Sequence, residues 1–195
     1  MKSALIIVDV QNAFFDPSWG TRNNLQAEAN ISQLLSLWRE SKQEVIFIQH
    51  ISKNPNSLFY QKKSSSQIKD IVQPAADEMI IKKEVNSAFI NTSLKEHLVK
   101  KEISDVVIVG LTTAHCVSTT TRMSGNLGFN TFLISDATAS FGLYDHNDQY
   151  IDAETIQNVS LATLHKEFAT VLTTDEYIRT YLGSDPKSIK KQNIK

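Results

Sequence analysis

Three kinds of side chain suited to covalent and proton-transfer chemistry stand directly after short apolar runs in this chain. Asp9 follows ALIIV, Lys82 and Lys83 follow MII, and Cys116, the only cysteine, follows DVVIVG through the turn LTTAH. A carboxylate beside a thiol can accept its proton, and an ammonium can keep that carboxylate ionised and stabilise a thiolate. Backbone amides of the turn that delivers the cysteine can bind the oxyanion of an attacked carbonyl. A thiol in the first turn of a helix also feels the positive end of the helix dipole, which favours the nucleophilic thiolate. Each residue has a plainer alternative: a lone cysteine can be a small buried hydrophobe, and Asp9 can cap the next segment. The combination, more than any one member, points to nucleophilic catalysis.

These residues meet only if the runs before them lie side by side. Residues 4–9 form a nearly continuous aliphatic run, the pattern of a strand buried on both faces. Further strands are predicted over 45–49 (VIFIQ), 79–82, 105–110, 131–135 (TFLIS) and 169–172. Helices are predicted over 25–42, with Leu34, Leu35, Leu37 and Trp38 on a helical period, and over 93–101, where Ser93 and Glu96 match a capping box. Others are predicted over 116–127, with Gly128 as the C-terminal cap, over 157–166 and over 175–182. Such alternation means an α/β fold, a parallel sheet covered by helices on both faces. Open sheets of this kind bind ligands beyond the carboxyl ends of their strands. That rim carries Asp9, His50, Lys82 and Lys83, the turn ending at Cys116, and Asp136, which is expected to anchor the turn after it. The long polar stretch 52–77 marks a functional or partly disordered loop.

The totals narrow the class. A chain of 195 residues, 41% hydrophobic and 21% charged, suits one domain, taken as 1–182, followed by a basic, flexible tail over 183–195. A net charge of −1 gives no field for nucleic acid or an anionic membrane, so neither is an expected partner. One cysteine excludes an internal disulfide framework, and the first apolar run is too short for a signal sequence, so a cytoplasmic protein is expected. No glycine-rich phosphate loop is present. Phe14, Phe15 and Trp19, directly after the first strand, are candidates for an aromatic lid over a small-molecule pocket.

Three segments resemble the isochorismatase-like cysteine hydrolases. They are LIIVDVQNAFF, then KEVNSAFINTSL with a lysine six positions before the phenylalanine of an S-A-F-x-x-T-x-L block, then GLTTAHCVSTTTRMSGNLGFNTFLISDATAS. The likeness runs from about residue 4 to 175. It implies a Rossmann-like three-layer αβα sandwich with a six-stranded parallel sheet. By the resemblance Asp9 is the general base, Cys116 the nucleophile and Lys83 the cation between them. Lys82, its neighbour in a strand, faces the other way. The resemblance further implies a cis peptide at Leu111–Thr112 that aims the Thr112 amide, with that of Cys116, at the oxyanion. The implied reaction is cleavage of an amide-type C–N bond of a small molecule through a thioester, without a cofactor, in a homo-oligomer of at least two chains.

Two departures shape this expectation. Nicotinamidases of the family carry an Asp-x-His…His metal site after the second strand, whereas FIQHISKNPNSLF has His50 alone, so no metal is expected. His50 is then a pocket-wall residue or a packing residue. Ala13 stands where many members have a second acid. His115 adjoins Cys116 and is a poor base but a candidate substrate contact; His97, His146 and His165 are assigned surface or core roles. Vinyl-ether hydrolysis and a non-catalytic binding or assembly role are the competing functions.

Overall fold

The structure, a computed structural model, describes residues 2–183. The tail expected over 183–195 lies outside the described residues apart from Gly183. The chain runs β1 (Ser3–Val8), α1 (Ala27–Glu40), β2 (Glu44–His50), β3 (Met79–Lys83), α2 (Leu94–Lys100), β4 (Asp105–Leu111), α3 (Ser118–Asn126) and β5 (Asn130–Ala139). A short hairpin follows, β6 (Leu143–Tyr144) and β7 (Tyr150–Ile151), then α4 (Ala153–Leu164), β8 (Thr170–Leu172) and α5 (Thr174–Tyr177). The main sheet has six strands in the order β3-β2-β1-β4-β5-β8. All of its pairings are parallel.

Alternation along β1 explains the layering. Leu5 and Ile7 pack with Ile31, Leu34, Leu35 and Trp38 of α1 and with Tyr177 of α5. Ala4, Ile6 and Val8 point the other way, onto Leu94 and Leu98 of α2, Val117, and Leu164 of α4. Because both faces of β1 are covered, every residue of it is buried and the strand reads as unbroken aliphatic sequence.

Several expectations are corrected. Ser93 makes no side-chain cap on α2; the capping box is instead Thr173 with Glu176, opening α5. The helix assigned to start at Cys116 starts at Ser118, and Thr113–Val117 form a wider π-helical turn. β5 is twice the predicted length, with a register shift against β4 between Ile108 and Gly110. Asp136 therefore lies within a strand, and its Oδ1 accepts from the Thr174 amide and hydroxyl at 2.8 Å, anchoring α5 and not the following turn. The β6–β7 hairpin occupies a stretch read as plain loop; its turn is organised by Asp145 Oδ1, which accepts from the amides of Asn147 and Gln149.

Gly110 is required by close approach. It has φ +126°, and a Cβ there would meet the Val8 carbonyl oxygen at 2.0 Å. β1 and β4 thus end tightly together, which puts Asp9 beside the turn that carries Cys116.

Candidate active site

Asp9 follows β1 with φ 51°, a left-handed conformation that aspartate tolerates better than most residues. Its amide donates to the Ile48 carbonyl at 3.0 Å, fixing it against the end of β2. His50 ends β2 and is paired in register with Lys83 at the end of β3. Lys83 is buried whereas Lys82 is exposed, as opposite faces of one strand require. Downstream, Ser87 Oγ accepts from the Phe89 amide, and the Ala88 amide donates to Thr120 Oγ1 at 3.1 Å, tying this segment to α3. The Leu111–Thr112 peptide is cis, and the π-helical turn beyond it carries His115 and Cys116.

Lys83 Nζ is the centre of the cluster. It donates to Asp9 Oδ2 at 2.6 Å and to Cys116 Sγ at 3.2 Å, and lies 3.1 Å from His50 Nδ1. Asp9 Oδ1 is buried and has no hydrogen-bond partner among the described residues. Burial pushes the Asp9 carboxyl above its usual range, and the Lys83 charge limits that rise. Burial, reinforced by the Asp9 charge, also pushes the Cys116 thiol up to about 12, against the pull of Lys83. Burial and the Asp9 charge thus oppose the resting thiolate expected from the cation and the start of the helix. Burial and the Lys83 charge hold His50 at about 4, so its imidazole is neutral and Nδ1 accepts from the ammonium.

Asp9, His50 and Cys116 each offer a ligand atom within 4.8 Å of the others. Together they have the donor types of a metal site. The Lys83 ammonium already donates a hydrogen bond to each of them. With that tethered cation in place the trio does not fit a metal ion.

The cavity above the cluster has a volume of about 260 Å³ and is lined by Asp9, Phe14, Trp19, His50, Phe59, Asn86, Thr112, His115 and Cys116. Phe14, Trp19, Phe59 and Phe141 form an aromatic group with centroids 5.0–6.3 Å apart, and Trp19 Nε1 donates to the Ala13 carbonyl. His115 Nδ1 lies 3.0 Å from Thr112 Oγ1. Of the sequence candidates Phe15 is the exception: it is 71% exposed, outside the cavity, under the Lys69 ammonium at 3.9 Å. His97 pairs with Glu44, while His146 and His165 lie on the surface.

Sequence reasoning missed Phe59, Asn86 and Gln11. Phe59 comes from the 52–77 loop, where no periodicity signals a pocket wall. Gln11 is buried; its side-chain NH2 donates to the carbonyls of His50 and Ser66, and its Oε1 accepts from the His50 amide at 2.8 Å. It locks the end of β2 and the long loop to the residues after β1. The amide pair Gln11–Asn12 directly after the apolar run was the available signal.

A doubly covered six-stranded parallel sheet with a buried carboxylate–ammonium–thiol cluster at its carboxyl rim defines a Rossmann-like α/β protein with a candidate cysteine site. The Isochorismatase domain profile matches residues 3–176, and this chain belongs to the isochorismatase family. It is 63% identical over 181 residues to an uncharacterized isochorismatase-family protein of Bacillus subtilis, covering 93% of this chain and 97% of that one. It is 28% identical to Nicotinamidase 3 of Arabidopsis thaliana, over 93% and 90% of the two chains. Among solved structures, an isochorismatase-family protein from Chromobacterium violaceum superposes with a TM-score of 0.89 at 35% identity, over 91% and 92% of the chains. No helix among the described residues is long and apolar enough to cross a membrane.

Proposed function

We propose that this protein is a cysteine amidohydrolase that cleaves a C–N bond of a small molecule. The observation that carries the reading is the buried contact of Lys83 with both Asp9 and Cys116 at the floor of a cavity. In the proposed reaction a substrate carbonyl settles over Cys116 and the Asp9 carboxylate takes the thiol proton. Sγ bonds to the carbonyl carbon, and the oxyanion is held by the amides of Thr112 and Cys116. Asp9 returns the proton to the nitrogen, the C–N bond breaks and the amine leaves, with a thioester on Cys116. Water enters, gives a proton to Asp9 and adds to the thioester carbon. The C–S bond breaks, the acid departs, and the sulfur recovers its proton.

Lys83 keeps Asp9 ionised until it takes the thiol proton and balances the charge as it passes between oxygen and sulfur. An elevated carboxyl pKa makes Asp9 a stronger base toward the thiol, which its burial supplies. Ammonia release from a panel of small amides, nicotinamide included, tests the proposal. Turnover that disappears in Cys116→Ala and Asp9→Asn supports it; turnover that persists in Cys116→Ala rejects it.

A further inference from the structure

An ammonium has only three N–H donors. All three of those on Lys83 have acceptors within 3.2 Å: Asp9 Oδ2, His50 Nδ1 and Cys116 Sγ. Its side chain is itself fully buried, so it has no room to turn toward a newcomer. None of the described residues lining the cavity is a lysine or an arginine. The two histidines of the wall are held neutral near pH 7, His115 by burial and His50 by burial and the Lys83 charge. The charge nearest the thiol that is not fully compensated is therefore negative, on Asp9, whose Oδ1 lacks a hydrogen-bond partner among the described residues.

The rest of the wall is suited to an uncharged guest. Phe14, Trp19 and Phe59 give it aromatic faces, and Asn86 and Thr112 offer hydrogen bonds without charge. At about 260 Å³ the space lies below the usual range for drug-sized ligands. A carboxylate entering it would give up water and find no cation to replace it.

We propose that the site accepts a small uncharged amide and turns away carboxylate-bearing molecules of similar size, because all three Lys83 donors are engaged by Asp9, His50 and Cys116 and the described residues of the wall offer no other cation. That the guest is an amide rests on the cysteine amidohydrolase reading; the exclusion of carboxylates rests on the geometry of the cavity.

Two reagents of nearly equal shape separate charge from chemistry. Iodoacetamide and iodoacetate both alkylate a thiol by displacing iodide, and Cys116 is the only cysteine, so whole-protein mass reads the reaction directly. The iodoacetamide-to-iodoacetate rate ratio on Cys116 is expected to exceed the ratio on 2-mercaptoethanol, at one pH and ionic strength, by about tenfold or more. A ratio equal to or below that of the free thiol overturns the proposal. Ammonia release from butyramide and from succinamate, which adds a carboxylate at the far end, provides the second arm. Faster release from succinamate overturns the charge selection and leaves the amidohydrolase reading standing. A high alkylation ratio with no ammonia from any amide upholds the charge selection and rejects the hydrolase reading.

Discussion

Among the described residues two carboxylate–lysine pairs are buried, and they behave in opposite ways. At the candidate site Asp9 meets Lys83 at 2.6 Å; beside α1, Glu28 meets Lys69 at 2.7 Å. Glu28 has a second cation, because Arg22 also binds it through both guanidinium ends. Burial alone would raise the Glu28 carboxyl, but hydrogen bonds and charge from Arg22 and Lys69 reverse that and hold it at about 2. Asp9 has one cation, shared with a thiol and an imidazole, and one oxygen without a partner, so burial prevails and its carboxyl is raised. A carboxylate with two cations is locked in its charged form. One with a shared cation stays ready to exchange a proton. The first pair holds structure: Lys69 belongs to the long loop that supplies Phe59, and its amide donates to the Val10 carbonyl. The second is placed for chemistry.

The sharpest way to break this contrast is to neutralise each carboxylate in turn. Asp9→Asn is expected to lower kcat by about 10²–10⁴-fold, the usual contribution of a positioned base, with the fold retained in thermal denaturation. Glu28→Gln is expected to do the reverse, leaving kcat within about twofold while lowering stability by roughly 2–3 kcal/mol. Equal effects of both on turnover would refute the division of roles.

Removing the lysines comes next. Lys69→Met strands part of the Glu28 charge and is expected to cost about 3 kcal/mol in denaturant unfolding, with turnover per folded molecule preserved. Lys83→Met leaves Asp9 free to take up a proton, so its stability loss is expected to be smaller and its main effect a collapse of turnover. A Lys83→Met protein with full turnover would contradict the proposed role.

Acid separates the pairs by sign. Glu28, with a depressed folded value, contributes stability that is present above about pH 4.5 and lost as pH falls toward about 2. Asp9, with a raised value, contributes in the opposite sense: its protonated form favours the folded state, and that contribution fades as pH rises through its folded pKa. Turnover, which needs the carboxylate, is expected to rise over that same range. A pH series of unfolding midpoints for the parent protein and Glu28→Gln checks the first point, and the acid limb of kcat/KM checks the second. The smallest effect is assigned to Phe15→Ala, which is expected to leave KM unchanged, whereas Trp19→Ala raises it several-fold; steady-state kinetics on any hydrolysed amide compares them.

Most of the six-stranded frame is legible from residue types, because doubly buried strands leave unbroken aliphatic runs and helices leave a stripe such as Leu34, Leu35 and Trp38. Asp9, Lys83 and Cys116 are legible for a related reason: chemical side chains at the ends of such runs must share one rim. What escaped depends on partners distant in sequence. The Ser93–Glu96 pattern did not make a cap while Thr173–Glu176 did, and β5 ran on past its apolar core because β4 offered it partners as far as Ala139. Phe59 reached the pocket on a loop whose path is set by Gln11 and Lys69, which no local pattern signals.

The amino-acid sequence by itself determined the buried strands and the chemical side chains that end them, through alternation and spacing along one chain. It was the family resemblance of the segment around Ser87, Ala88 and Phe89 that pointed to Lys83 over Lys82. The protonation state of the thiol, the sharing of one ammonium among three acceptors and the lack of a spare cation in the cavity were decided only by the tertiary structure. Each depends on how much water is removed from a group and on which charges stand within a few ångströms of it, and folding sets both.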